Sequence, residues 1–139
     1  MFLFAAQVIA AGTTFSCTPT AVYDGDGPIW CAEGQKIRTA GTAAREISGA
    51  CKPGHPCPSA SGIAARNALV HQLGGPKGKL RTGHVVVRAG TMRCRSDGSA
   101  GRGRTAAWCT TAGGVDLSCA MVRTGTVLKW PRYWQGHRC

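Results

Sequence analysis

The sequence predicts an α+β, mainly β fold: a small barrel with helices added to it. Three observations carry this expectation. Short runs of alternating apolar and polar residues are punctuated by glycine, which fills 20 of 139 positions, as in domains built from short strands and tight turns. One helical pattern interrupts these runs in the middle of the chain, and a second follows the last of them. Eight cysteines, even in number and dense for the length, predict a disulfide framework formed in an oxidising compartment.

The chain is of a length for one domain with a modest core, and the expected division is residues 1–12 and 13–139. The first of these, Met1–Gly12, is apolar and too short to span a bilayer. It reads as the apolar region of a signal peptide, although no Lys or Arg precedes it, or as a first strand. Thr13–Val22 reads as a strand with Phe15, Cys17, Pro19 and Ala21 on one side, and Pro19 makes it an edge or a bulge. Asp24–Gly27 is a tight turn carrying two carboxylates. Ile29–Ala32 and Lys36–Gly41 form a hairpin about Glu33 and Gly34. An irregular loop, GACKPGHPCP at its centre, fills Arg45–Pro58.

Ser59 caps a helix that runs to about Leu73 and stops at Gly74 and Gly75. Its inner face is Ala65, Leu69 and Leu73, widened by Ile63 and Val70; His71 lies off that face. Pro76–Lys79 is a basic loop. His84–Val87 and Thr91–Arg95 are short strands, Ser96–Gly103 is a glycine-rich basic turn, and Arg104–Thr110 returns as a strand. Asp116 caps a second helix with Leu117, Ala120 and Met121 inward, and Gly125 stops it. Internal repeats and low-complexity tracts are absent.

Cysteine spacing alone leaves about 105 pairings open. The local set is the expected one: Cys17–Cys31, Cys51–Cys57, Cys94–Cys109 and Cys119–Cys139. The first and third each close a loop of roughly fifteen residues, worth about 3 kcal/mol in the chain-entropy picture. The alternative for Cys51, His55 and Cys57 is a zinc site.

Lys and Arg number 17 against 6 acidic residues, a formal charge of +11. Such an excess favours polyanions, with DNA or RNA first, then anionic surfaces and acidic polysaccharides; the alternative is charge that only keeps an exported protein soluble. The chemistry concentrates in Val22–Glu46, VYDGDGPIWCAEGQKIRTAGTAARE. Asp24 and Asp26 on a glycine turn, Arg38 in a strand and Glu46 beside Arg45 would meet on adjacent extended segments. Carboxylates hold hard cations or take protons, and guanidinium grips phosphate in bidentate fashion.

The motifs VYDGDGPIWC, IRTAGTAARE, RGRTAAWC and VDLSCAMVRTG, in this order, resemble the thermonuclease (staphylococcal-nuclease-like) family, and its cysteine-rich exported bacterial members in particular. The resemblance spans about Phe15 to Trp130. It implies a five-stranded OB-type barrel with two or three packed helices, stapled here by disulfides, and a phosphodiesterase that hydrolyses DNA or RNA. On the matching positions it implies Asp26 as a carboxylate ligand to Ca²⁺ with Asp24 in support. Arg38 would hold the scissile phosphate, Glu46 would orient or deprotonate the attacking water, and Arg104 would stabilise the transition state. The chain departs from the family at Ala43, where a second metal-binding aspartate is usual, and at Arg45, Ala100 and Arg102. Arg45 has the charge to stand in for the cation. Arg45, Arg93, Arg95 and Arg102, with Lys77 and Lys79, offer a phosphate-tracking surface. Trp130 and Trp134 offer faces for base stacking, while Trp30 and Trp108 read as packing residues. Three functions follow: a metal-assisted nuclease outside the cytoplasm, periplasmic or secreted; a non-catalytic OB-fold module that binds nucleic acid or another polyanion; or a disulfide-stapled structural or interaction protein with a vestigial site.

Overall fold

The computed structural model describes residues 7–139; Met1–Ala6, half of the expected apolar leader, lie outside the described residues. The strands are β1 Thr14–Cys17, β2 Pro19–Asp24, β3 Gly27–Cys31, β4 Lys36–Thr39 and β5 Thr42–Ala43, then β6 Gly78–Lys79, β7 Val85–Val86, β8 Met92–Gly101, β9 Arg104–Thr110 and β10 Leu128–Lys129. Two helices interrupt them, α1 Gly62–Gln72 and α2 Leu117–Arg123, and a 3₁₀ turn spans Pro131–Tyr133. The fold is α+β and mostly sheet. Eight strands pair in the order β1-β8-β9-β4-β3-β2-β7-β6, and β5 pairs with β10 separately. By its hydrogen bonds the larger sheet is open, with β1 and β6 at its edges.

The β3–β4 hairpin forms as expected, with Ile29 opposite Ile37. Both side chains are fully buried, because alternation sends them to the same face. The expected strand Thr13–Val22 is two strands broken at Thr18, and the register shifts between Pro19 and Ala21. Proline has no N–H for the ladder, so the break falls beside it. Met92, Cys94 and Ser96 of β8 face inward and Arg93 and Arg95 outward. The expected glycine-rich turn at 96–103 is instead mostly strand. β8 runs on to Gly101 with irregular register, and the turn tightens to Arg102 and Gly103.

Helix α1 is capped by Ser61 rather than Ser59: the Ser61 hydroxyl accepts the Ala64 N–H at 3.0 Å, the usual N-cap role of serine. Ala65, Leu69, Val70 and Leu73 are buried, but Ile63 is 49% exposed, contrary to expectation. In that first turn the buried place belongs to Gly62, whose bare Cα lies against the Glu46 carbonyl. Asp116 caps α2 as expected, accepting the Cys119 N–H at 2.9 Å. Leu117 and Met121 join α1, β2, β3, β4 and β9 in one core.

All eight cysteines are paired, as Cys17–Cys31, Cys51–Cys57, Cys94–Cys109 and Cys119–Cys139. These are the local pairs expected, and they remove the zinc alternative, since Cys51 and Cys57 have no thiolate to offer. Four disulfides in one small domain suggest an oxidising, extracellular compartment. Among the described residues no helix is long and apolar enough to cross a membrane. The tail is clasped to the sheet. Trp134 donates its indole N–H to the Gly41 carbonyl at 2.9 Å, and His137 stacks on Trp108 with centroids 3.9 Å apart.

Candidate functional site

Strand pairing decides where the arginines meet. β4 and β9 run parallel with Arg38 opposite Ala106. Arg104 lies two residues before Ala106 and so shares its outer face. Arg38 and Arg104 line one cavity of about 300 Å³. Its other walls are the β8–β9 hairpin at Ser99 and Ala100, the stapled loop at Lys52 and His55, and the tail at Trp130 and Tyr133. The tail wall is held by a backbone hydrogen bond from Trp130 to the Gly41 carbonyl at 2.7 Å.

The Arg38 guanidinium lies 5.6 Å from the Trp130 ring centre and donates from Nη2 to Asp26 Oδ2 at 3.1 Å. Both side chains are largely buried, 12% and 14% exposed, so the pair is shielded and held in place. The same Asp26 oxygen accepts the Ala44 N–H at 3.1 Å. Asp24, one glycine away, accepts the Asp26 N–H at 3.3 Å. Burial first, then hydrogen bonding to Asp26 and the charge of Asp26, push the Asp24 carboxyl up to about 8. Arg104 donates to the carbonyls of Ala100 at 2.8 Å and Gly101 at 3.1 Å. Those bonds fix it on its own hairpin, while burial and the neighbouring Arg38 work against its charge.

Glu46 lies at the start of the stapled loop, half exposed, with Lys52 Nζ 4.0 Å from its Oε1. Arg38 and Arg104 thus line the cavity themselves, whereas Asp26 and Asp24 join it behind Arg38 and Glu46 joins it only through Lys52. Arg45 is not among the residues that line the cavity. Its Nε donates to the Pro58 carbonyl at 2.7 Å and its Nη1 to the Gly49 carbonyl at 2.9 Å, which ties down the loop. Arg93 and Arg95 are exposed on β8, and Arg95 pairs with Trp108, so they share the outer face of Arg104. Arg102 is exposed at the hairpin tip with φ +56°. Lys77 and Lys79 are exposed at the β6 edge.

Two contributors are missed by sequence reasoning. His55 is weighed there only as a zinc ligand, and Lys52 is passed over. The signal is the loop itself: two cysteines six residues apart, with prolines between and after, must fold back on whatever Arg45 and Glu46 adjoin. His55 rests on Trp130 with centroids 4.4 Å apart. Burial, then the charges of Arg38 and Lys52, hold its imidazole below the usual range.

Calcium takes six to eight oxygens, several of them from carboxylates. The donor set here does not fit a resident Ca²⁺. Asp26 Oδ2 is already shared by a guanidinium and an amide, and Glu46 faces an ammonium. Ala43 is 1% exposed and paired with Leu128, so no carboxylate enters from β5. Elsewhere Asp116, Cys119 and His137 offer atoms within 4.8 Å of one another. Cys119 is in a disulfide, and Asp116 Oδ2 bonds His137 Nε2 at 2.7 Å, so that cluster is a clasp.

No protein-family model, curated protein or solved structure matches this chain.

Proposed function

We propose that this chain is a thermonuclease-like phosphodiesterase that takes DNA or RNA across the mouth of the Arg38–Arg104 cavity, on a five-stranded OB-type barrel. The barrel reading is supported by one residue. Only Thr18 separates β1 from β2, yet β1 pairs with β8 and β2 with β3, at opposite ends of the run β1-β8-β9-β4-β3-β2. A single residue spans under about 4 Å, so that run must curl round to bring its ends together. Counting β1 and β2 as one bent strand gives five.

The observation that carries the function is the convergence of two guanidiniums from different strands on one cavity with an aromatic wall. Guanidinium forks match phosphate oxygens, and ring faces accept bases of any sequence. In this reading Arg38 and Arg104 grip two oxygens of a phosphodiester and stabilise the charge that builds on them as water attacks. The half-exposed Glu46 carboxylate takes the proton of that water as its oxygen bonds to phosphorus, the ester P–O bond to the leaving sugar oxygen breaks, and that oxygen takes a proton from solvent. Asp26 holds Arg38 in register. No step runs through calcium, because the donor set does not fit it.

A second reading, a module that binds nucleic acid without cutting it, is favoured by the way Asp26 and Glu46 each face a cation of the same chain. One assay separates the two: cleavage of single- and double-stranded DNA and of RNA by the oxidised protein, with and without EDTA, beside Glu46→Gln and Ala43→Asp. Cleavage by wild type that Glu46→Gln abolishes supports the enzyme. Salt-sensitive binding without cleavage in every variant leaves the module. Silence on both counts rejects the site as a nucleic-acid interface.

A further inference from the structure

The geometry points to the disulfide-closed loop Cys51–Cys57 as a working part of the phosphate site. Lys52 supplies a third cation where a divalent metal would otherwise be needed, so nucleic-acid binding requires the stapled loop and no metal. This deepens the proposed function and rests on it.

Position is the first argument. Lys52 and His55 line the same cavity as Arg38 and Arg104. Lys52 also stands on its acidic side, 4.0 Å from Glu46 and close enough to Asp24 to act on its charge. Arg38, Arg104 and Lys52 outnumber the one lining carboxylate, Asp97, and such an excess of cations suits an anion with several oxygens, as a phosphodiester has.

The carboxylates beside the cavity are committed to cations of the chain itself. A site that keeps a hard cation leaves several oxygens uncommitted. Here the Arg38 guanidinium holds Asp26 Oδ2 at 3.1 Å and the Lys52 ammonium stands 4.0 Å from Glu46 Oε1, and Ala43 adds no carboxylate. Phosphate then competes with Glu46 for Lys52, whose side chain is 41% exposed and free to turn toward a ligand.

Rigidity is a further argument. The loop is closed by a disulfide with a sequence separation of 6 and turned by a His55 N–H to Lys52 carbonyl bond at 3.1 Å. Prolines follow at Pro53 and Pro56, and Arg45 grips the loop base at Pro58 and Gly49. A lysine on a free loop loses side-chain and backbone entropy on binding; one on a fixed loop loses less. His55, laid on Trp130, seals the loop against the aromatic wall.

The test is the binding of a labelled single-stranded oligonucleotide to the full oxidised chain over a salt series, with EDTA and with added Ca²⁺. Lys52→Met keeps the stem and removes the charge. Cys51→Ser with Cys57→Ser frees the loop, with circular dichroism to check that the domain stays folded. Expected are a loss of about tenfold in affinity for Lys52→Met, a salt slope shallower by about 0.7, a similar loss for the double serine variant, and no effect of EDTA or Ca²⁺. Wild-type affinity in Lys52→Met, or binding that EDTA abolishes, overturns the inference while leaving the nucleic-acid reading intact. If wild type binds no oligonucleotide, that reading fails, and inorganic phosphate decides the loop's role. Phosphate-induced shifts in the Lys52 and His55 NMR signals uphold an anion site; their absence removes it.

Discussion

Substituting Gly41 by alanine should release the C-terminal tail and with it one wall of the cavity. Gly41 has φ +71°, and a Cβ there would lie 2.6 Å from Trp108 Cη2 and 2.7 Å from Trp134 Nε1. The left-handed backbone alone costs a non-glycine residue about 1 kcal/mol. Trp134 must then swing out. It loses its 2.9 Å bond to the Gly41 carbonyl, worth about 1 kcal/mol, and its edge-on contact with Trp108 at 5.0 Å, worth about another. The total is about 3 kcal/mol, or a Tm lower by roughly 10 °C for a domain of this size. Urea unfolding followed by far-ultraviolet circular dichroism measures it. Gly125→Ala is the control, because Gly125 has φ +75° and nothing within 4 Å of its added Cβ; it should show the backbone cost alone. Equal losses in the two variants would refute the reasoning, since the indoles would then contribute nothing.

Asp24 predicts a pH dependence. Its carboxyl is raised from 3.8 to about 8, so the folded protein keeps a proton that the unfolded chain releases above about pH 4. The stability this group contributes is therefore whole below about pH 4 and is lost as pH climbs towards about 8. Unfolding free energies from pH 5 to pH 8 should fall, and Asp24→Asn should flatten the slope; an unchanged slope assigns it to another group. Asp26→Asn keeps an acceptor for the Ala44 N–H but frees Arg38. Stability should drop by about 2 kcal/mol and oligonucleotide affinity should fall with it, because Asp26 holds Arg38 in register; a rise in affinity would mean that Asp26 competes with phosphate for Arg38. Gly62→Ala should destabilise by about 2 kcal/mol, because the new methyl meets the Glu46 carbonyl. Helix propensity alone predicts a gain of about 1 kcal/mol, so the sign of the change in urea unfolding decides.

What could be read from the sequence was local. The Ile29–Ile37 hairpin, the Asp116 cap and the four disulfides all join residues close in sequence, where alternation, a cap residue or short cysteine spacing carries the signal. The β5–β10 pair and β6 were not legible, because two-residue strands have no period to detect. The extension of β8 through Ser99–Gly101 was hidden by glycine and serine, whose propensities favour turns; pairing with β9 overrides them. Asp26, Arg38 and Arg104 could be singled out as residues, and their convergence needed the parallel β4–β9 pairing, which no local pattern reports. Arg45 looked available because its charge is plain in sequence, whereas its carbonyl partners at Gly49 and Pro58 are set by the loop closure. Lys52 entered the site by that same closure.

Three of the four tryptophans have an imidazole laid against them: His84 on Trp30 at 4.0 Å, His55 on Trp130 at 4.4 Å and His137 on Trp108 at 3.9 Å. Protonated imidazole quenches indole emission by accepting charge from the excited ring. Two of these pairs, on the β3 strand and in the cavity wall, report optically on imidazoles that burial holds below their usual range. Leaving the Trp130–His55 pair as the one emitter takes phenylalanine at Trp30, Trp108 and Trp134, because the Trp134 ring also meets His137, at 5.3 Å. The brightness of Trp130 would then follow the protonation and displacement of His55 in real time, without a label, as any anion enters the cavity.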